Sequence, residues 1–381
     1  MKKHPTNRRE FLTSSFLGTA ATVALAGSSR RLPRSQVASP AARPARIRFA
    51  AIGLNHSHIN GQVETVIRGG GQLVSFLAKE TDLVSTFAKR FPDAKLARSG
   101  REILEDPAIQ LVVSAAVPNE RAPLGIDVMQ HGKDFMVDKP AATTLEQLAD
   151  VRRVQAQTKR IFSVLIERFE SRTINKAGDL VNAGAIGQVI QTIGLAPHRL
   201  NPETRPAWFF ERQQYGGILC DLASHNLDAF LFLTGSTRAD VIASQVGNMH
   251  NPTYPGFEDF GDVMLSGNGG AGYIRVDWFT PAGLKTYGDS RLTILGTEGY
   301  IELRKTVDIA GRPGANHLFL VDHKGPQYVD CSDVRLPYAE RLVDDIINRT
   351  NTADSQARTF LAMELALEAQ KQARRVTLPS R

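Results

Sequence analysis

Ile47-Arg48-Phe49-Ala50-Ala51-Ile52-Gly53-Leu54-Asn55-His56-Ser57-His58 is the stretch whose reading decides the fold. The mostly apolar run Ile47 to Ile52 has the character of a strand buried on both faces, as in a parallel sheet. A helical pattern follows from about His58 to Arg68. The turn between them stands where a phosphate-binding G-x-G-x-x-G loop would put glycine at 53, 55 and 58. Only Gly53 is present; Asn55 and His58 occupy the other two places. Asn tolerates positive φ, so Asn55 can keep the turn. His58 falls at a helix N-terminus, where backbone N–H groups favour phosphate. A plain strand–helix turn that binds no nucleotide is the competing reading.

Outward from this turn, strands and helices alternate. Leu73 to Leu77 reads as a strand, Thr81-Asp82 starts a helix reaching Phe91, and Leu111 to Val117 is a further strand. Pro118-Asn119 opens a helix through Met129, Phe135 to Val137 is a strand, and Thr143-Thr144-Leu145-Glu146 has capping-box spacing for the next helix. Ile161 to Ile166 completes the series. Such alternation predicts an α/β domain over 46–166, with a parallel sheet and helices on both faces. At the end of its second strand, Glu80 can take the ribose hydroxyls of NAD, whereas Lys79 can meet the 2′-phosphate of NADP; both stay open.

From 167 to 375 the pattern changes to successive strand-like runs joined by glycine-rich turns such as Gly267-Asn268-Gly269-Gly270. This predicts a second α/β domain with a largely antiparallel, open-faced sheet. Such a face suits a homo-oligomer, a dimer or tetramer. Two helical stretches, about Tyr338–Thr350 and Ser355–Arg375, close the chain.

The chain has 381 residues and a formal charge of +7. Residues 1–48 hold ten Lys and Arg against Glu10 alone, a net +9, so the remainder carries −2. A near-neutral body excludes nucleic acid as an expected partner. Arg8-Arg9 followed by Glu10-Phe11-Leu12, an uncharged stretch to Gly27, and Ala24-Leu25-Ala26 fit a twin-arginine export signal over 1–26. Residues 27–45 then read as a tether, and the expected location is periplasmic. The uncharged stretch is too short for a stable membrane span. The two cysteines, Cys220 and Cys331, are expected as buried small hydrophobes, with a single bridge as the alternative.

Two islands carry the chemistry. Asp138-Lys139-Pro140 follows the apolar run Phe135-Met136-Val137, placing a lysine at the end of a buried strand. Gly216-Gly217 opens a helical pattern bearing Asp221, His225 and Asp228 at i, i+4 and i+7, one face of a helix. Lys139 is expected to stabilise a developing alkoxide. His225 is expected as the general base, oriented or tuned by Asp221. Asp228 is expected to bond backbone or an arginine. Arg199, Arg205, Trp208 and Tyr215 precede the diglycine and are candidate sugar contacts, with packing the equal alternative. His56 and His58 form an H-x-H pair, but no third ligand is evident nearby, so no metal is expected.

Together these marks resemble the Gfo/Idh/MocA oxidoreductases over about residues 46–375. They are Ala51-Ile52-Gly53, Gly132-Lys133 leading to Asp138-Lys139-Pro140 (the family usually has Glu-Lys-Pro), the segment Gly216 to Asp228, and Gly296-Thr297-Glu298-Gly299. Ala122 stands where a histidine is common. The resemblance implies a Rossmann domain followed by an α/β domain, with Lys139, Asp221 and His225 beside the nicotinamide of NAD or NADP and a sugar or polyol as substrate. Gly53, Asn55, His56, His58, Lys79, Glu80, Pro118, Asn119 and Lys139 would then form the cofactor side. A glycosidase using transient oxidation by NAD needs the same three residues. A cofactor-free sugar-binding protein is the non-enzymatic alternative.

Overall fold

The computed structural model describes residues 45–378. The export signal and nearly all of the tether read from the sequence lie outside them. β1 (Ile47–Ile52) is followed by α1 (His58–Arg68), β2 (Gly71–Leu77), α2 (Thr81–Arg90), β3 (Lys95–Leu96), α3 (Gly100–Leu104) and β4 (Leu111–Ser114). α4 (Pro118–Gln130), β5 (Asp134–Asp138), α5 (Leu145–Thr158) and β6 (Phe162–Leu165) complete the first half. The strands lie in the order β3-β2-β1-β4-β5-β6, all parallel. The order reverses beside β1, which is the switch point where such sheets bind ligands. Every residue of β4 and β5 is buried, as a central parallel strand requires. Thr144 caps α5 by accepting from the Gln147 N–H, while Gln147 Oε1 accepts from Thr143 N–H at 2.8 Å. The capping box thus sits one residue later than the sequence suggested.

The second half contains α6 (Arg172–Asn182), β7 (Val189–Pro197), α7 (Arg212–Tyr215), a π-helical turn (Leu219–Ala223) and α8 (Ser224–Thr234). β8 (Ala239–Gly247), β9 (Phe260–Gly267), β10 (Gly270–Asp277), β11 (Arg291–Gly296), β12 (Gly299–Arg304), β13 (His317–Asp322) and β14 (Gly325–Val329) follow. The chain then ends in α9 (Tyr338–Asn348), α10 (Gln356–Gln372) and β15 (Arg374–Arg375). The sheet order is β14-β13-β12-β11-β7-β10-β9-β8-β15, antiparallel except for the β7–β10 and β8–β15 pairs. α8 covers one face because glycines let it approach. A Cβ at Gly194 would lie 2.6 Å from Asn226 Oδ1, and one at Gly272 would lie 2.9 Å from the Phe230 ring. The other face exposes Ile193, Met264, Leu295, Tyr300 and Tyr328, which share one side by register.

α9 and α10 do more than close the second half. A Cβ at Gly69, just after α1, would meet the Ala339 carbonyl oxygen of α9 at 2.2 Å. Arg152 of α5 forms two hydrogen bonds to Glu364 of α10, and Gln356 exchanges two with the Phe162 backbone. One hydrophobic core accordingly runs from the parallel sheet into the layer of α8 and α10.

Beneath α8 the buried Arg168 holds Asp228 through Nε–Oδ2 at 2.5 Å and Asp354 through Nη2–Oδ1 at 2.8 Å. Its guanidinium lies 4.7 Å from the Phe169 ring centre and 4.8 Å from that of Phe232. Asp228 is therefore the structural carboxylate that the sequence suggested. Removing one partner of such a buried pair strands the other charge. Asp228→Ala is expected to lower unfolding free energy by roughly 3–5 kcal/mol, read from the urea midpoint. A midpoint equal to that of the parent would contradict this role.

Candidate active site

The end of β5 meets the π-helical turn. Lys139 Nζ donates to Asp221 Oδ1 at 2.6 Å, with only 6% of the lysine side chain exposed. Burial opposes the Asp221 charge, but the charge and hydrogen bond of Lys139 outweigh it and hold the carboxyl below its ordinary pKa. Lysine and aspartate, 82 residues apart in sequence, are thus the pair that forms, rather than Asp221 with His225. The reason is local: the π-helical turn widens the backbone at Leu219–Ala223, so the i, i+4 stacking expected of a continuous α-helix is lost.

His225 opens α8. Its Nδ1 accepts the Glu167 N–H at 3.2 Å, and Glu167 in turn receives Lys305 Nζ on Oε2 at 2.6 Å. Burial, then the Lys139 charge, pushes the His225 pKa well below the usual imidazole value. The ring is neutral with its proton on Nε2. In this arrangement the Nδ1 lone pair is occupied and Nε2 carries the hydrogen, so the residue expected as the general base presents a donor. Sequence reasoning missed His198, just beyond β7. Its Nδ1 donates to the Ala196 carbonyl at 3.0 Å, which leaves the Nε2 lone pair free. Burial lowers its pKa to about 4, and Lys139 and Asp221 both act on it electrostatically. No motif marks this histidine; only its place after a strand could have drawn attention.

Arg121 was also missed. Fully buried in α4, it donates to the carbonyls of Ala116 (2.7 Å) and Lys139 (2.6 Å) and to Asp138 Oδ2 (3.1 Å). It ties the ends of β4 and β5 together and fixes the backbone that carries Lys139. Asp138 Oδ1 meets His58 Nδ1 at 2.9 Å, and Asp138 Oδ2 lies 3.6 Å from His56 Nδ1.

The four proposed sugar contacts divide. Tyr215 is a core residue: it is 2% exposed, and its hydroxyl accepts the Glu258 N–H at 3.1 Å. Arg199 spends its Nη2 on the carbonyls of Pro281, Leu284 and Thr286, bracing a loop. Arg205 is stacked over Phe209 and Trp278 and bonds the Tyr287 hydroxyl, so it builds an aromatic wall. Trp208 alone lies beside the loop after β1, its ring 6.4 Å from that of His56.

The same loop fits the adenosine and pyrophosphate half of a dinucleotide. Gly53 has φ +78°, and a Cβ there would lie 2.5 Å from Ala116 Cβ, so only glycine makes this turn. Ser57 places no side-chain bond on the N-terminal N–H groups of α1, and no acidic residue stands in its first turn. The first N–H groups bond within the loop, His58 N–H to His56 Nδ1 and those of Ile59 and Asn60 to the His56 and Ser57 carbonyls, each at 3.2 Å, long contacts that phosphate oxygens at this helix end would share or replace. Asn55 Nδ2 donates to Glu80 Oε1 at 2.8 Å, holding a carboxylate just past β2 with its second oxygen available for a ribose diol. Lys79 is exposed beside it, and Pro118 and Asn119 begin α4 across the switch point. Cys220 and Cys331 are both free and buried.

Comparison with known proteins agrees with this geometry. Residues 47–166 match the oxidoreductase family model with an NAD-binding Rossmann fold, and 174–302 match the GFO/IDH/MocA C-terminal domain. The NAD(+)-dependent scyllo-inositol 2-dehydrogenase of Bacillus subtilis is 25% identical over 304 residues, 77% of this chain and 82% of that protein. A crystal structure from Erwinia carotovora atroseptica SCRI1043, described as an oxidoreductase, is 44% identical with a TM-score of 0.85. It covers 87% of this chain and 99% of that one. A levoglucosan dehydrogenase in complex with NADH shares the fold at a TM-score of 0.69 and 17% identity, covering 86% of this chain and 98% of that one. A parallel sheet with its glycine turn, a lysine at the end of β5 and an open-faced second sheet are thus accounted for together: the chain belongs to the Gfo/Idh/MocA family of NAD(P)-dependent oxidoreductases.

Proposed function

We propose that the protein oxidises a secondary hydroxyl of a sugar or polyol, or reduces the matching ketone, with Lys139 as the group that holds the reacting oxygen. The observation that carries this reading is the buried Lys139–Asp221 pair at the end of β5. A nicotinamide bound there supplies the hydride acceptor or donor. An ammonium with little water around it stabilises negative charge growing on the substrate oxygen far better than one in bulk solvent. Asp221 anchors that ammonium in place. His225 offers its Nε2–H as a second donor to the same oxygen or a neighbouring hydroxyl. His198 Nε2 has the free lone pair that accepts the hydroxyl proton during oxidation. Hydride leaves carbon, the proton goes to imidazole, and the C–O bond becomes a carbonyl. The inositol dehydrogenase relative supports a polyhydroxylated substrate. The glycosidase and the cofactor-free binding protein are less favoured, since the relative's name describes net oxidation.

Lys139→Met keeps the length of the side chain and removes the charge. It is expected to lower kcat by about 10²–10⁴-fold while dinucleotide still binds, as measured by quenching of intrinsic fluorescence. Retained turnover would overturn the assignment. His56, with pKa about 3, and His198, with pKa about 4, are neutral near pH 7 because burial depresses both, and His225 shifts the same way. Depressed values mean protonation only well below pH 6.5. The kcat profile should therefore run without a break between pH 6 and 7, falling only on the acid side. An inflection at an ordinary histidine pKa would contradict the neutral-imidazole arrangement.

The arginine pair near the N-terminus supports export of a folded, cofactor-loaded protein. Arg8→Lys with Arg9→Lys should leave the protein in the cytoplasm of a bacterial host, as judged by fractionation. Equal periplasmic recovery would argue for another route.

A further inference from the structure

Two residues that depart from the family motifs meet at one point. His58 occupies the place of the third glycine and Asp138, at the end of β5, that of the usual glutamate, while His56 stands two residues before His58 in the loop after β1. Their side chains converge, with one donor atom from each lying within 4.8 Å of the others. His58 Nδ1 stands 2.9 Å from Asp138 Oδ1, His56 Nδ1 stands 3.6 Å from Asp138 Oδ2, and the two imidazole centres are 4.0 Å apart at 67°. Bonds of about 2.1 Å to one ion would place neighbouring donors roughly 3.0–3.4 Å apart, for octahedral to tetrahedral angles.

We propose that His56, His58 and Asp138 bind a borderline divalent cation of the zinc–cobalt–iron(II) class. Two imidazoles and one carboxylate match that class, whereas Mg²⁺ and Ca²⁺ select oxygen donors. The parts are disposed for it. His56 Nδ1 accepts the His58 N–H at 3.2 Å, so the lone pair of that nitrogen already faces the cluster. Asp138 is buried, with its two carboxylate oxygens facing both imidazoles and the Arg121 guanidinium. Arg121 grips Oδ2 at 3.1 Å and fixes the carboxylate, as a supporting partner does around a metal ligand. His58, 45% exposed, can shift by the few tenths of an ångström needed. On binding, the His58 Nδ1 proton now given to Asp138 moves to Nε2, and the 3.2 Å contact from His58 N–H to His56 Nδ1 is surrendered. Three protein ligands leave coordination positions open for oxygen donors. The N-terminus of α1 and the nearby Lys139 are both positive and oppose a bare cation, so the open coordination positions favour anionic oxygens that accompany it. Magnitude also matters: Arg121 repels the incoming cation, which argues for ions with high imidazole affinity.

The test uses purified protein stripped with chelator and titrated with Co²⁺, followed by visible absorption, with Zn²⁺ competition by calorimetry. One equivalent per chain is expected. His58→Ala should weaken it about 100-fold, and His56→Ala with His58→Ala should abolish it, with circular dichroism unchanged. His131→Ala, an exposed histidine elsewhere, should leave it intact. Substoichiometric uptake, or uptake indifferent to both loop histidines, would mean an adventitious ion only and would overturn the proposal. NAD binding is measured on the same samples, so a failed metal site is distinguishable from a failed dehydrogenase.

Discussion

A lysine ammonium and an aspartate carboxylate, both taken out of water, join the parallel sheet to the second half of the molecule. Ion pairs of this kind contribute little net stability, because desolvation consumes most of the attraction. Their persistence at a strand end calls for another reason. Lys139 Nζ has three donor hydrogens, and Asp221 uses one. The remaining two, beside a dinucleotide loop and two neutral histidines, are what a reacting hydroxyl needs. Holding the ammonium rigidly before the substrate arrives avoids reorganisation at the moment of reaction.

That rigidity has its own support. Arg121 draws the Ala116, Lys139 and Pro140 carbonyls and the Asp138 carboxylate onto one guanidinium. Glu167 receives Lys305 on one side and presents its N–H to His225 on the other. Each donor or acceptor pointing at the site is thereby fixed by a second residue, and the tautomers of His198 and His225 follow from their backbone partners. The two rings end with opposite characters, a lone pair at His198 Nε2 and a proton at His225 Nε2.

Much of this was legible in the chain. β1 and α1 run over the residues that the apolar run and helical period indicated, because both are local patterns, a strand buried on both faces and a helix with one buried face. Lys139 could be placed because it directly follows a buried strand. The hairpin of β13 and β14 went unread: Gly325-Pro326-Gln327-Tyr328-Val329 is an exposed edge with little apolar alternation. The π-helical turn was invisible too, since Leu219 to Ala223 carries an ordinary helical composition, and with it went the expected Asp221–His225 pair. Asp138 could not be joined to His56 and His58 from sequence, as some 80 residues separate them and only the parallel register of β1, β4 and β5 brings the strand ends together. For Tyr215 and Arg199 sugar contact and packing stood equal in the sequence, and the structure shows packing, because composition identifies a sugar-binding type of residue but not the direction in which it faces.

The central claim is that Lys139 activates a hydroxyl whose carbon gives hydride to a nicotinamide. The most direct measurement supplies polyols and sugars deuterated at the carbinol carbons and follows deuterium by mass spectrometry. Deuterium should arrive on the reduced dinucleotide with the parent protein and fail to arrive with Lys139→Met. Reduced dinucleotide free of label, or equal labelling by the variant, would contradict the account.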